Sequence, residues 1–123
     1  MKSAQYFLDV ANETVPTLSA KDAVSLHGTD AVFVDVRDSS QVTETGTIAG
    51  AQRIPRGFLE FAADAATPFH NPAMQKEANI YLICAAGGQA ALSGKTLQEM
   101  GYQSVTNIGG IGDWKDAGGP MES

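Results

Sequence analysis

Two apolar runs stand out along the chain: AVFVDV, residues 31–36, and NIYLIC, residues 79–84. Both are nearly unbroken and rich in β-branched and aromatic residues. Such runs predict strands buried on both faces, the pattern of a parallel sheet. Residues 51–54, closed by Pro55, and residues 104–108 read as shorter strands. Residues 15–18 form a further extended segment, interrupted by Pro16 and therefore suited to a sheet edge. Between these segments the spacing turns helical. Ala4, Phe7, Leu8 and Ala11 mark one face of a helix over 2–12. Ser19 and Asp22 resemble a capping box opening a helix that ends near Gly28. Residues 39–45 read as a short helix or turn, and residues 57–64 have helical spacing. Residues 67–74 (TPFHNPAM) form a proline-punctuated loop. The strongest helix spans 88–100, with Ala91, Leu92, Thr96, Leu97 and Met100 on one face, and stops at Gly101. A last helix covers 111–117. Strands alternate with helices, so the predicted class is α/β with a mostly parallel sheet. The chain contains no internal repeat. We read residues 1–123 as one domain, with a peripheral helix over 1–14 and a core over 15–120.

Charge narrows the functional classes. The net charge is −6 and the charges are scattered. A nucleic-acid footprint needs a basic face, and an anionic membrane surface also favours cations. Neither partner is expected. No apolar stretch is long enough to span a bilayer. The single cysteine cannot form an internal disulfide, so nothing points to an oxidising compartment and the expected location is cytoplasmic. One cysteine, two histidines and no spaced acidic cluster predict no metal site, and no cofactor is expected.

The chemistry centres on that cysteine. Cys84 ends a predicted strand, and ligand sites of parallel α/β sheets lie beyond such ends. Ala85, Ala86, Gly87, Gly88 and Gln89 follow, then a helix. Small residues let the backbone curl until several N–H groups face one point. The positive end of the helix faces the same point. A thiolate there is stabilised as an anion, and helix N-termini with cationic neighbours lower cysteine titration from about 8.5 to roughly 3.5–7.5. The expected result is a nucleophile that needs no histidine base. The alternative reading is an inert buried cysteine, for which the following glycine pair would have no use.

Further motifs give the chain a family likeness. Asp35-Val36-Arg37 ends the first buried strand. Gly46-Thr47-Ile48-Ala49-Gly50-Ala51 is followed by Ile54-Pro55. Cys84 and Gly87 lie in the loop, and Gly109-Gly110, Trp114 and Gly118-Gly119-Pro120 close the chain. In this order and spacing, over residues 15–120, they resemble a single-domain rhodanese, a sulfurtransferase. The resemblance implies a central five-stranded parallel sheet flanked by helices on both faces. It also implies a persulfide carried on Cys84. Many rhodaneses have Arg-Ser where this chain has Gln89-Ala90; Gln89 donates hydrogen bonds but carries no charge. Phosphatases of related architecture need an arginine six residues after the cysteine, where this chain has Ala90, so that reading falls.

The resemblance implies that Cys84 takes sulfane sulfur from thiosulfate or a related small anionic donor and passes it to a thiol or cyanide acceptor. A protein donor or acceptor is also compatible. Ala85 to Gln89 would bind substrate. Arg37, Arg53 and Arg56 are the only arginines, and Arg56 is the expected cation for the donor. Asp35 and Arg37 are expected to support the loops, either as orienting groups or as a structural ion pair. Trp114 is expected in the core, and His70 in a plain loop or at the mouth of the site. The alternative function is a persulfide relay or protein-binding module without thiosulfate turnover.

Overall fold

The computed structural model describes residues 1–123. Along the chain the elements are α1 (Ala4–Thr14), α2 (Ala20–Ala23), β1 (Val32–Asp35), α3 (Ser39–Thr45), β2 (Thr47–Ile48), β3 (Gln52–Arg53), α4 (Leu59–Ala63), β4 (Asn79–Cys84), α5 (Gly88–Glu99), β5 (Ser104–Gly110), α6 (Ile111–Asp116) and β6 (Met121–Glu122). Single 3-10 turns at Val24–Leu26 and Arg56–Phe58 continue α2 and lead into α4. Four strands form the central sheet in the order β3-β1-β4-β5, all parallel. Parallel neighbours need crossovers, and the helices supply them.

Alternation along the strands divides the core in two. Val34, Ile80, Leu82 and Cys84 face Leu59, Ala62 and Ala63 of α4 and Ala90 and Leu97 of α5. Phe33, Ile83 and Ile108 face Ala20, Ala23, Ile111 and Trp114 on the other side. Burial on both faces is why the two runs read as continuously apolar. Trp114 is fully buried, and its Nε1–H donates to Pro120 O at 3.0 Å. No helix is long and apolar enough to cross a membrane.

The α/β class with helices on both faces agrees with the sequence reading, but the central sheet has four strands rather than five. Residues 15–18 do lie at the outer edge of β5. There Asn107 N donates to Pro16 O (2.9 Å) and Leu18 N donates to Asn107 O (3.0 Å). Pro16 has no N–H to extend the ladder, so the pairing shrinks to one parallel bridge between Thr17 and Asn107. The antiparallel pair β2-β6 was not foreseen, because two residues per strand carry no readable alternation. The N-terminal helix is not merely peripheral. Ala11 is buried, and α1 packs along α5 with Leu8 beside Gly88.

Tyr102 closes the α4–α5 side of the core. Its hydroxyl lies 2.7 Å from Ala63 O and 3.1 Å from Met74 O and donates to these carbonyls. Burial raises its pKa above the ordinary value, and the Asp64 and Glu77 carboxylates add to the effect. A raised phenol pKa in the folded state means that the unfolded chain loses this proton first. Stability is therefore intact below about pH 10, the unfolded value, and declines as pH rises toward the folded one. Tyr102→Phe is expected to lose about 1 kcal/mol at neutral pH, chiefly through the Ala63 carbonyl left unpaired, since Met74 O keeps its bond from His70. It should also flatten the decline in stability above about pH 10. Urea unfolding at neutral and alkaline pH checks both; an equally steep alkaline decline in the variant would clear Tyr102 of the effect.

Candidate active site

Cys84 is the last residue of β4, in phase with Ile80 and Leu82, so its side chain turns under α5 and is only 1% exposed. The pairing of β4 with β5 slips between Leu82 and Cys84, which brings Cys84 opposite Gly110. A Cβ at Gly110 would overlap the Ala85 carbonyl oxygen, so only glycine lets the loop pass this close to β5. The loop then turns through Gly87, whose φ of +103° is a left-handed conformation that side chains disfavour. Helix α5 begins at the next residue.

This turn aims the start of α5 at the sulfur. Gly87 N donates to Cys84 Sγ at 3.0 Å and Ala90 N donates at 3.3 Å. The first four N–H groups of a helix, here those of Gly87 to Ala90, have no intrahelical partner. Two of them hold the sulfur. Those of Gly88 and Gln89 are left at the same helix end for a group arriving at Sγ. The Ala91 N–H is already bound to Gly87 O at 3.0 Å. Ala85, Ala86 and Gln89 are exposed above the thiol. The arrangement can favour a sulfur anion and then hold a second anionic atom bonded to it.

The structure thus places Cys84 Sγ against the turn formed by Ala85 to Gln89. Arg56 is placed differently. Its Nη1 donates to Glu60 Oε1 and its Nη2 to Thr96 Oγ1, both at 2.9 Å. Thr96 lies eight residues along α5 from Gly88, about 12 Å by helical rise. The Arg56 guanidinium is thus held on the flank of α5, in a groove that also reaches Gly88, and is engaged by Glu60 and Thr96. A position just after a strand end locates the backbone only; from the 3-10 turn at Arg56–Phe58 the side chain runs to Glu60 and Thr96.

Asp35 and Arg37 are buried, at 0% and 3% exposure. Asp35 accepts from Arg37 N, Nε and Nη2 and from Thr47 Oγ1, while Arg37 also donates to Thr45 Oγ1 and Gly46 O. This network ties the end of β1 to the α3–β2 connection and is structural. Arg53 pairs with Glu122 at 3.4 Å, so all three arginines face carboxylates. His27 Nε2–H donates to Ala49 O, and His70 Nε2–H donates to Met74 O, which fixes His70 within its own loop. No three of the His, Cys, Asp and Glu side chains gather around one point suited to a metal ion. A groove of about 830 Å³ reaches Ala86, Gly87 and Gly88 from the α1 side. Its charged residues are Lys21, Asp113 and Asp116, so it offers a dianion no net positive charge. Asn107 also touches the loop, and nothing in its sequence position signals this.

Comparison with known proteins adds a family. Residues 19–117 match the rhodanese-like domain family model. A solved structure from Rhodopseudomonas palustris CGA009, a protein of unknown function and possible tyrosine phosphatase, is 40% identical with a TM-score of 0.92. The match covers 99% of this chain and 96% of that one. The homodimeric polysulfide-sulfur transferase of Wolinella succinogenes is 29% identical with a TM-score of 0.73, covering 94% and 83% of the two chains. The adenylyltransferase and sulfurtransferase UBA4 of Meyerozyma guilliermondii is 29% identical over 98 residues, 79% of this chain. The chain spans about a quarter of that curated relative, 23% of its length.

The buried network generates one expectation. Arg37→Met leaves the Asp35 carboxylate buried without its cation, and breaking such a pair costs about 3–5 kcal/mol. Equilibrium urea unfolding should show a loss of this size; a loss under about 1 kcal/mol would mean that Thr47 and backbone donors hold Asp35 unaided.

Proposed function

The chain belongs to the rhodanese-like domain family, and on that premise we propose that it is a sulfurtransferase in which Cys84 carries sulfane sulfur as a persulfide. The observation that carries this reading is the pair of N–H groups on Cys84 Sγ, with two more unspent at the same helix end. With thiosulfate as donor, the Cys84 thiolate attacks the outer sulfur. A bond forms between Sγ and that sulfur, the bond to the sulfite sulfur breaks, and sulfite leaves with the electron pair. A thiolate or cyanide acceptor then attacks the terminal sulfur, and the Cys84 thiolate departs. No proton is needed in either step, consistent with a site that has no histidine beside the cysteine. The N–H groups of Gly88 and Gln89 would hold the terminal sulfur while it bears negative charge.

The donor is less constrained than the carrier. Arg37, Arg53 and Arg56 all face carboxylates, and Gln89 is neutral. Of the lysines near the loop, Lys95 pairs with Glu99 and Lys21 shares its groove with Asp113 and Asp116, so a dianion would meet chiefly backbone donors against a net charge of −6. This leaves a protein persulfide, which is not a dianion, and polysulfide as donors on at least equal terms with thiosulfate. It also keeps a relay, with persulfide exchange but negligible thiosulfate turnover, as the second reading. The possible phosphatase activity suggested for the R. palustris protein has no support in this loop. The position six residues after Cys84 is Ala90, fully buried, with its N–H spent on the sulfur.

Intact mass after incubation with thiosulfate or polysulfide tests the carrier. The protein should gain one sulfur atom, removable by a thiol reductant, and Cys84→Ser should gain none. Persulfide formation from polysulfide without thiosulfate-to-cyanide turnover would select the relay. A failure to gain sulfur from either donor would overturn the carrier reading. Gln89→Arg should add the missing cation. At this exposed position a charge pair contributes about 1 kcal/mol, so the Michaelis constant for thiosulfate should fall about fivefold with little change in kcat. An unchanged Michaelis constant would show that the side chain at 89 points away from the donor.

A further inference from the structure

Asn107 lies on β5, opposite Leu82 of β4 and buried to 7% exposure. Its backbone is fixed independently of its side chain, through Pro16 O and Leu18 N on the edge segment. Its side chain makes two further bonds, both used to hold backbone. Nδ2 donates to Gly87 O at 2.9 Å, and Oδ1 accepts from Gly109 N at 2.8 Å. The asparagine thus joins the turn after β4 to the turn at the end of β5. A buried amide with both of its polar atoms spent on backbone has the role of a brace.

The atom that Asn107 holds matters. Gly87 O accepts from Ala91 N on one side and from Asn107 Nδ2 on the other. Two donors fix the plane of the Gly87–Gly88 peptide. That peptide is trans, so the Gly88 N–H must point opposite to the Gly87 carbonyl, outward from the amino end of α5. Fixing the same plane also limits the rotation of Gly87, a residue whose left-handed φ no Cβ restrains. The N–H of Gly87 is the shorter of the two donors to Cys84 Sγ.

We propose that Asn107 is the positioning residue of the active-site loop: by holding Gly87 O and Gly109 N it aims the Gly87 N–H at Cys84 Sγ and the Gly88 N–H at the sulfur that arrives there. The proposal deepens the sulfurtransferase reading and rests on it. Asn107 touches no reacting atom and acts through the two glycines.

Three variants test the proposal. Asn107→Leu keeps the volume and removes both side-chain bonds. Asn107→Asp keeps the shape and the acceptor for Gly109 N but removes the donor to Gly87 O. Val105→Ala weakens the core from the same strand without touching the loop. Two quantities are read at neutral pH: the ultraviolet absorbance of the Cys84 thiolate, taken against Cys84→Ser, and the rate of persulfide formation from polysulfide. Both Asn107 variants should lower the thiolate-to-thiol ratio and the persulfide rate about fivefold, the equivalent of ~1 kcal/mol for one hydrogen bond. Val105→Ala should be less stable to urea with both quantities unchanged. A wild type showing thiolate and persulfide while both Asn107 variants match it would overturn the role of Asn107 alone. Equal losses in Val105→Ala would reduce the effect to general destabilisation and also overturn it. A wild type with no thiolate signal beyond that of the urea-unfolded chain would overturn the cradle, and the proposal with it.

Discussion

The structure depends on a sulfur atom held under the first turn of a helix. Cys84 Sγ accepts from Gly87 N and Ala90 N, and each neighbouring feature is a condition for those two bonds. β4 must end in the phase that turns Cys84 toward α5. The chain must reverse within three residues, which requires the left-handed Gly87. β5 must let the loop pass against it, which requires Gly110 to lack a side chain. A hydrogen bond to sulfur is weak when the thiol is neutral and stronger when the acceptor is charged. The geometry therefore supplies fixed donors to the sulfur without a mobile base.

The same reliance on backbone explains the disposition of charge. In a protein of net charge −6, every arginine is engaged by a carboxylate, and one of them, Arg37, is buried in a network with Asp35. That network holds the end of β1, the strand next to β4, and so stiffens the carboxyl end of the sheet from which the loop emerges. Fixed dipoles replace flexible cations at the thiol. Such donors lose little entropy when an anion arrives, because the helix has already ordered them. They also discriminate poorly by net charge. A site of this kind selects for a small polarisable anion at one point rather than for a particular dianion.

What the sequence revealed follows the distance over which each feature is encoded. The buried strands, the best helix and the thiol at their junction are local patterns, and the elements found differ from those read by one or two residues at most ends. The family motifs added the order of the whole chain. The fifth strand failed because Pro16 removes a single donor from an edge that is only a few residues long. β2 and β6 were too short for any period to show. Arg56 misled because a position after a strand end fixes where the backbone lies and not where a long side chain turns. Once folded, Thr96 and Glu60 capture it. Asn107 was invisible for the opposite reason: it reads as one polar residue in a short strand, and its role exists only when two glycine turns from distant parts of the chain meet beside it.

Burial of Cys84 sets a condition on the proposed cycle. At 1% exposure the sulfur offers an incoming molecule almost no surface, so the donor must place its own sulfur into the loop instead of docking beside it. An S–S bond of about 2.05 Å then carries the reactive atom outward. The terminal sulfur of the proposed persulfide would lie toward the Gly88 and Gln89 N–H groups, beside the exposed Ala85 and Ala86. The second half of the cycle thus takes place nearer the surface than the first. Loading would need a donor, small or protein-borne, whose sulfur stands on an arm slender enough to enter the loop, whereas a bulkier thiol could collect the sulfur. The glycine-rich loop allows this asymmetry, since no side chain between Ala86 and Gln89 stands above the position the terminal sulfur would occupy.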